Sequence, residues 1–440
     1  MSASRLGAAA RRFWHEYTRM RTAIFFLIGV AVIAVIGSIV PQAHTSAPQK
    51  VSEFLTTSPN LNALLSRVGL PPTEVFVSPA FFLLLGSLFV ALGACVLRRG
   101  RALLVRTARH RPRTPQFWGE WGSWLFHTSF FLLVVAAIAG KATGFQGLVA
   151  ITEGGTFTEA RSGYDDLQEG ILFGGHHSNA AVTLNHFKVG YQPNGEATDY
   201  VSNLSVIDHG KQVLTQDVRV NEYMSYGDVA FYQQDYGWAP DLVVRNPAGV
   251  VVHDSPVQLF GSDRSVQTGT LKVPDLGYRL PGDARNTQLG ARLAIFPDAH
   301  AVPHVLPDGS IDAAQTTYKP GGFEARNPVV MAQLFLGDLG IDGGAAQNVS
   351  ALDVRHMQPF PSSAQPVPLA LGDVLSIPVP AADGTVTHFT VGFTSLKQYS
   401  LFLVKRDGGV GLVYLSFVMM LSGLMIKLYV RPILERSRRR

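Results

Sequence analysis

Of the thirteen histidines in this 440-residue chain, one, His127, falls inside a hydrophobic run, "SWLFHTSFFLLVVAAIAG" from Ser123 to Gly140. It follows Trp124 by three residues, about 4.5 Å of helix rise. Two chemistries are open to an imidazole at that depth. It can anchor the helix among lipid headgroups, or its nitrogen can be an axial ligand of a metal such as haem iron, with Phe130, Phe131 and Val134 as an apolar wall. Bis-histidine ligation needs a second imidazole at the same depth. No other apolar run contains one, so a second ligand would come from another protein.

Other candidate residues carry weaker signals. His176 and His177 are adjacent, and neighbours on a strand point to opposite faces, so a solvated loop is expected rather than a shared metal. Cys95 is the single cysteine, which excludes disulfides, a CxxC redox site and a thiolate zinc site. Its place in an apolar run makes it a packing residue. No GxSxG, HExxH or P-loop pattern is present, which leaves hydrolase and phosphate-binding readings without support. The aromatic stretch Tyr223, Tyr226, Phe231, Tyr232, Tyr236 and Trp238 has strand spacing and is expected to be core and sheet surface.

The elements that must position these residues follow from hydropathy. Four apolar stretches predict membrane-spanning helices at 23–40, 80–97, 123–140 and 408–430, each roughly the thickness of a bilayer core. Within them the one charged residue is Lys427, near enough to an end to snorkel. Arginines precede the first stretch as in a secretory leader, but its length and the poor cleavage site in "SIVPQAH" predict a retained helix. Trp118, Trp121 and Trp124, three apart, predict an aromatic belt at the start of the third span.

Charge sets the expected orientation. Five arginines lie in 1–22, seven in the segment 98–122, and a basic tail occupies 431–440. The positive-inside rule places these in the cytoplasm. The loop 41–79 and the large segment 141–407 then lie outside, and the latter holds 17 basic against 27 acidic side chains. The formal net charge of +5 is therefore juxtamembrane, which argues for anionic lipid and against nucleic acid as its partner. In 41–79, "SPNLNALLSRVGL" predicts a short interfacial helix with Ser58 and Pro59 at its start and Gly69 at its end. Segment 141–407 reads as mainly β. "AVTLNHFKVGY", "DYVSNLSVID", "KQVLTQDVRV", "DVAFYQQDYGW" and "DLVVRN" predict strands, with turns at His209–Gly210 and Pro247–Gly249. Strand signals weaken between Val257 and Leu371 and resume in "HFTVGFTSLKQYSLFLVKRDGG". The fold class expected is a membrane protein with four transmembrane helices, three N-terminal and one C-terminal, and a large mainly-β extracytoplasmic domain.

Several segments, in this order, resemble the ResB family of System II cytochrome c biogenesis. They are "SIVPQ" closing the first span, "GLPPTEVFVSPAFF" entering the second, the Trp-rich lead to a third span bearing His127, "GFQGLVAITEGGTF", "VRVNEYMSYGDVAFYQQDYG", and "LVKRDGG" before the last span. The chain departs from the family pattern at Asn221–Met224, where a Pro–Leu pair is usual, and at Gly408, where proline is usual. The resemblance implies a non-enzymatic assembly subunit of the plasma membrane that works beside a CcsA-type partner, carrying haem b across the bilayer for attachment to apocytochrome c. Haem lyase activity would belong to the complex. His127 then maps onto the histidine assigned to a transmembrane haem site in fused family members. The alternative is a haem-independent, membrane-anchored extracytoplasmic scaffold or sensor.

Overall fold

The computed structural model describes residues 12–43, 48–109, 114–193, 197–261, 263–280, 285–306, 308, 310–341, 352–360, 365–381 and 384–438. Parts of the terminal segments 1–22 and 431–440 therefore lie outside the described residues. The chain divides into two compact units, a helical one made of residues 1–141 and 408–440, and a β-rich one made of 142–407.

The helical unit holds α1 (Met20–Ile39), α2 (Pro48–Thr57), α3 (Pro59–Arg67), α4 (Pro79–Ala108), α5 (Pro115–Thr143), α6 (Val410–Met425) and α7 (Arg431–Ser437). Four stretches are long and apolar enough to cross a membrane: α1, α4, α5 and the continuous run from α6 through α7. Together with the β unit this is the expected fold class. The helices outrun the apolar stretches, because α4 continues through Arg98, Arg99, Arg101 and Arg106 where an arginine-rich loop was expected. Arginine is a good helix former, and nothing in that segment breaks the helix before Arg109. Ser78 caps the start of α4, its hydroxyl accepting from the Phe81 N–H at 3.2 Å, with Pro79 in the first turn. Pro59 likewise opens α3, although the Ser58 side chain makes no capping bond, and Gly69 follows it with φ +74°.

Glycines let these helices approach one another. A Cβ on Gly93 would stand 3.0 Å from the Phe131 ring, one on Gly100 2.6 Å from the Trp124 indole nitrogen, and one on Gly122 2.7 Å from the Gly423 carbonyl. Small residues at crossings are how helices pack where lipid offers no hydrophobic drive. One face of α5 thus meets α4 and another meets α6. Between α6 and α7 the helix widens into a π turn over Ile426–Val430.

The β unit is built on two long strands, β8 (Val229–Arg245) and β18 (Val386–Arg406), paired antiparallel over the whole of β8 and over Thr390–Arg406 of β18. The sheet runs in the order β3 (Asp166–Glu169), β1 (Phe145–Thr152), β18, β8, β7 (Met224–Tyr226), with β17 (Val374–Pro380) added to β18 and β9 (Val251–Pro256) to β8. "DVAFYQQDYGW" and "DLVVRN", expected as separate strands, form the single strand β8. Pro240 sits in its middle because only its carbonyl is used there, accepting from the Val257 N–H at 2.9 Å. Two cores share this ribbon. Phe389, Val391, Phe393, Leu242 and Val244 pack with the sheet of β10 (Gln267–Val273), β11 (Gln288–Phe296), β14 (Val329–Gly337) and β15 (Met357–Phe360), while Phe402, Val404, Val229 and Phe231 pack with the sheet of β2 (Thr156–Thr158), β4 (Ala181–Tyr191), β5 (Ala197–Asp208) and β6 (Lys211–Arg219). The weakly patterned region after Val257 supplies the first of those sheets. The strands β5 and β6 join through His209 and Gly210, both at positive φ, as a two-residue hairpin requires. Where "NEYM" departs from the family pattern, Arg219 and Glu222 exchange backbone bonds, and Asn221 takes φ +68°.

Candidate functional site: His127 in the third span

α5 positions His127. Its Nδ1 lies 2.6 Å from the backbone oxygen of Ser123, one turn earlier. A carbonyl oxygen can only accept, so Nδ1 carries a proton, and in the neutral imidazole Nε2 is then the bare nitrogen. That is the tautomer in which a histidine ligates a metal, with its other nitrogen steadied by a backbone carbonyl. Nε2 has no hydrogen-bond partner among the described residues. The ring is half-buried and meets Phe126 edge-on, with centroids 5.6 Å apart.

The expected apolar wall is divided. Phe131 faces α4, where it stacks on Phe89 with centroids 4.4 Å apart and planes 7° from parallel. Phe130 stays 40% exposed beside Phe126, and Val134 is half-buried. Trp124, expected in an aromatic belt, also packs between helices: its indole N–H donates to the Val96 carbonyl at 2.9 Å. At 100° per residue, Gln116, Ser123 and His127 fall within about 40° of one line along α5. That line runs between the strip facing the α6–α7 run (Gly119, Gly122, Phe126) and the strip facing α4 (Glu120, Trp124, Phe131). No group of three or more His, Cys, Asp or Glu able to hold a metal is found among the described residues, at His127 or elsewhere.

The two adjacent histidines part company. His176 is exposed, as a solvated loop predicts, and its carbonyl accepts from Arg406 at 3.2 Å. His177 corrects that expectation, because its side chain is only 6% exposed. Nδ1 lies 2.6 Å from Glu159 and Nε2 3.2 Å from Glu169, and the ring packs against Phe145, Phe173 and Tyr164. Glu159, 1% exposed, also accepts from the Tyr164 hydroxyl at 2.8 Å and from the Ser178 N–H. Burial, then the Glu159 charge, pushes the Tyr164 phenol far above its ordinary range. Each ring nitrogen faces a carboxylate and neither is free for a ligand, so the cluster is a buried polar tie. The carboxylates come from Glu159, beyond the end of β2, and from Glu169 at the end of β3, separations that no local motif marks. In the aromatic stretch, Phe231, Tyr236 and Trp238 are buried as core, whereas Tyr223 is 48% exposed.

The sequence as a whole matches the model of the ResB-like family over residues 20–118 and 116–433. It is 25% identical to the cytochrome c biogenesis protein CcsB of Synechococcus sp. (strain JA-2-3B'a(2-13)), an alignment covering 95% of this chain and 85% of that protein. A shorter alignment, 30% identical and covering 28% of this chain and 22% of the relative, links it to the chloroplastic cytochrome c biogenesis protein CCS1 of Oryza sativa subsp. japonica.

Proposed function

Because the chain belongs to the ResB-like family, we propose that it serves cytochrome c biogenesis as a haem-handling membrane subunit, with His127 as one axial ligand of haem in transit. The observation that carries this reading is the state of the imidazole: Nδ1 tied to the Ser123 carbonyl, Nε2 bare, and the ring part-way into a span. Haem b is the substrate that passes, and its iron supplies the Lewis acid that the nitrogen meets. A second ligand is contributed by a CcsA-type partner, and the pair delivers haem to apocytochrome c. The chain is an assembly and delivery subunit, and any lyase chemistry belongs to the complex.

The four apolar helices make this a multi-pass membrane protein. In this reading the arginine-rich segments 1–22, 98–122 and 431–440 lie in the cytoplasm and 141–407 lies outside a plasma membrane, an orientation supported by the charge asymmetry.

The test is a pair of measurements on the complex purified with its partner. His127→Ala is expected to lose most of the b-type absorption and haem content and to lower cytochrome c maturation in cells. His127→Ala with unchanged spectrum and maturation would remove the haem role and leave a membrane-anchored scaffold or sensor as the reading.

A further inference from the structure

A cavity of about 520 Å³ opens at the arginine-bearing end of the helical unit, where α4, α5 and the run from α6 to α7 meet. Its lining includes Arg99 from α4, Gln116, Glu120 and Ser123 from α5, and Lys427 and Arg431 from the C-terminal run. The one acid in that lining, Glu120, is engaged by Arg106 at 2.5 Å. Arg431 is held at Nε by Glu435 at 2.8 Å, which leaves its terminal nitrogens available. Arg99 and Lys427 have no ion-pair or hydrogen-bond partner among the described residues. Three cations therefore converge on one cavity with their local acids already occupied. A basic surface that serves orientation alone has no need of such a pocket.

Two features of the backbone build it. A normal α-helix would carry Arg431 about 40° around the axis from Lys427. The π turn over Ile426–Val430 lies between them and leaves both cations on one side of the run. On the facing helix, a Cβ on Gly119 would stand 2.6 Å from Arg431 Cδ, so the missing side chain is what lets Arg431 lie across α5. Two of the lining residues, Gln116 and Ser123, stand on the line of α5 that continues to His127, and Ser123 is the residue whose carbonyl fixes the His127 tautomer. From Ser123 to His127 is one turn, about 6 Å along the axis.

We propose that this cavity is a carboxylate seat in which Arg99, Lys427 and Arg431 hold the two propionate arms of the haem whose iron is bound by His127. The inference rests on the haem reading of His127 and adds to it the part of the substrate that sets orientation. Charge-assisted bonds from guanidinium to carboxylate are the strong and directional ones, so the arms would fix which edge of the ring faces the arginine-bearing end.

The test titrates the full-length chain, in nanodiscs of neutral phosphatidylcholine, with haem b and with its dimethyl ester, which lacks both carboxylates. Quenching of tryptophan fluorescence and the Soret band are the readouts. Haem is expected to bind about tenfold or more tighter than the diester. The triple variant Arg99→Gln, Lys427→Gln, Arg431→Gln should weaken haem to the level of the diester and leave diester binding as it was. Arg99→Lys with Arg431→Lys, which keeps the charges, should hold haem affinity within a few-fold and shows that the fold tolerates change here. Equal binding of haem and diester, both abolished by His127→Ala, would overturn the carboxylate seat and leave the His127 reading intact. If both ligands are indifferent to His127→Ala, the seat and the haem reading fall together. Haem affinity unchanged by the triple variant, with loss of phosphatidylglycerol binding instead, would make the cavity a lipid headgroup site and overturn the proposal.

Discussion

His177 shows what a buried polar residue contributes when every hydrogen-bonding atom has a partner. Its ring joins two carboxylates from separate segments, Glu159 and Glu169, against Phe145 at the start of β1. Replacing it with alanine leaves Glu159, 1% exposed, with only the Tyr164 hydroxyl and the Ser178 N–H to compensate its charge. Breaking one side of a buried pair costs about 3–5 kcal/mol. His177→Ala is thus expected to lower the unfolding free energy of the β unit by that amount in a denaturant titration, whereas His176→Ala, an exposed side chain, should shift it by less than about 0.5 kcal/mol. Equal effects from the two would mean that the tie does not stabilise the β unit in solution. Only half of this residue-scale picture was legible in the sequence. His127 stood out because an imidazole is rare in an apolar run, but its tautomer depends on a backbone bond that no residue pattern displays. His177 was hidden because its partners lie 18 and 8 residues away and meet it only through the sheet.

Among the elements, the crossing of α5 and α6 is the one most sensitive to a single methyl group. A Cβ on Gly423 would stand 2.6 Å from the Gly122 carbonyl and 2.7 Å from the Phe126 nitrogen, contacts with backbone that cannot rotate away. Gly423→Leu should push the two helices apart at a cost of about 1–3 kcal/mol. A thermal melt of the full chain in detergent is expected to show it, together with weaker haem binding. Gly411→Leu is the control on the same helix, since nothing lies within 4 Å of its Cβ position. A Gly423→Leu melt that matches the Gly411→Leu melt would refute the close crossing. Elements of this kind differ in how plainly a sequence announces them. The spans were readable from continuous apolar runs, and β4 (Ala181–Tyr191) and β5 (Ala197–Asp208) from alternation and a turn between them. β11 (Gln288–Phe296) and β14 (Val329–Gly337) were not, because both faces of each are largely buried and the period of two is erased. The π turn leaves no compositional mark at all.

At the scale of the whole molecule, the β unit has the properties of a domain that closes on itself. Phe145 near its start pairs with Arg406 near its end, so its two ends are neighbours on adjacent strands β1 and β18. Residues 142–407 expressed alone should therefore fold, since cutting there breaks no strand pairing. How that fragment unfolds is a sharper question. Two cores suggest two transitions, but β8 and β18 run through both, and neither core can lose its strands without taking them from the other. A single cooperative transition is expected by calorimetry, with calorimetric and van't Hoff enthalpies in agreement. Phe393→Ala and Phe402→Ala probe the two cores separately, since both side chains are fully buried and they sit in different clusters. Each should destabilise the same transition by about 3–5 kcal/mol. If either variant instead splits the melt into two steps, the shared ribbon does not couple the cores, and the β unit is two domains that happen to use the same strands.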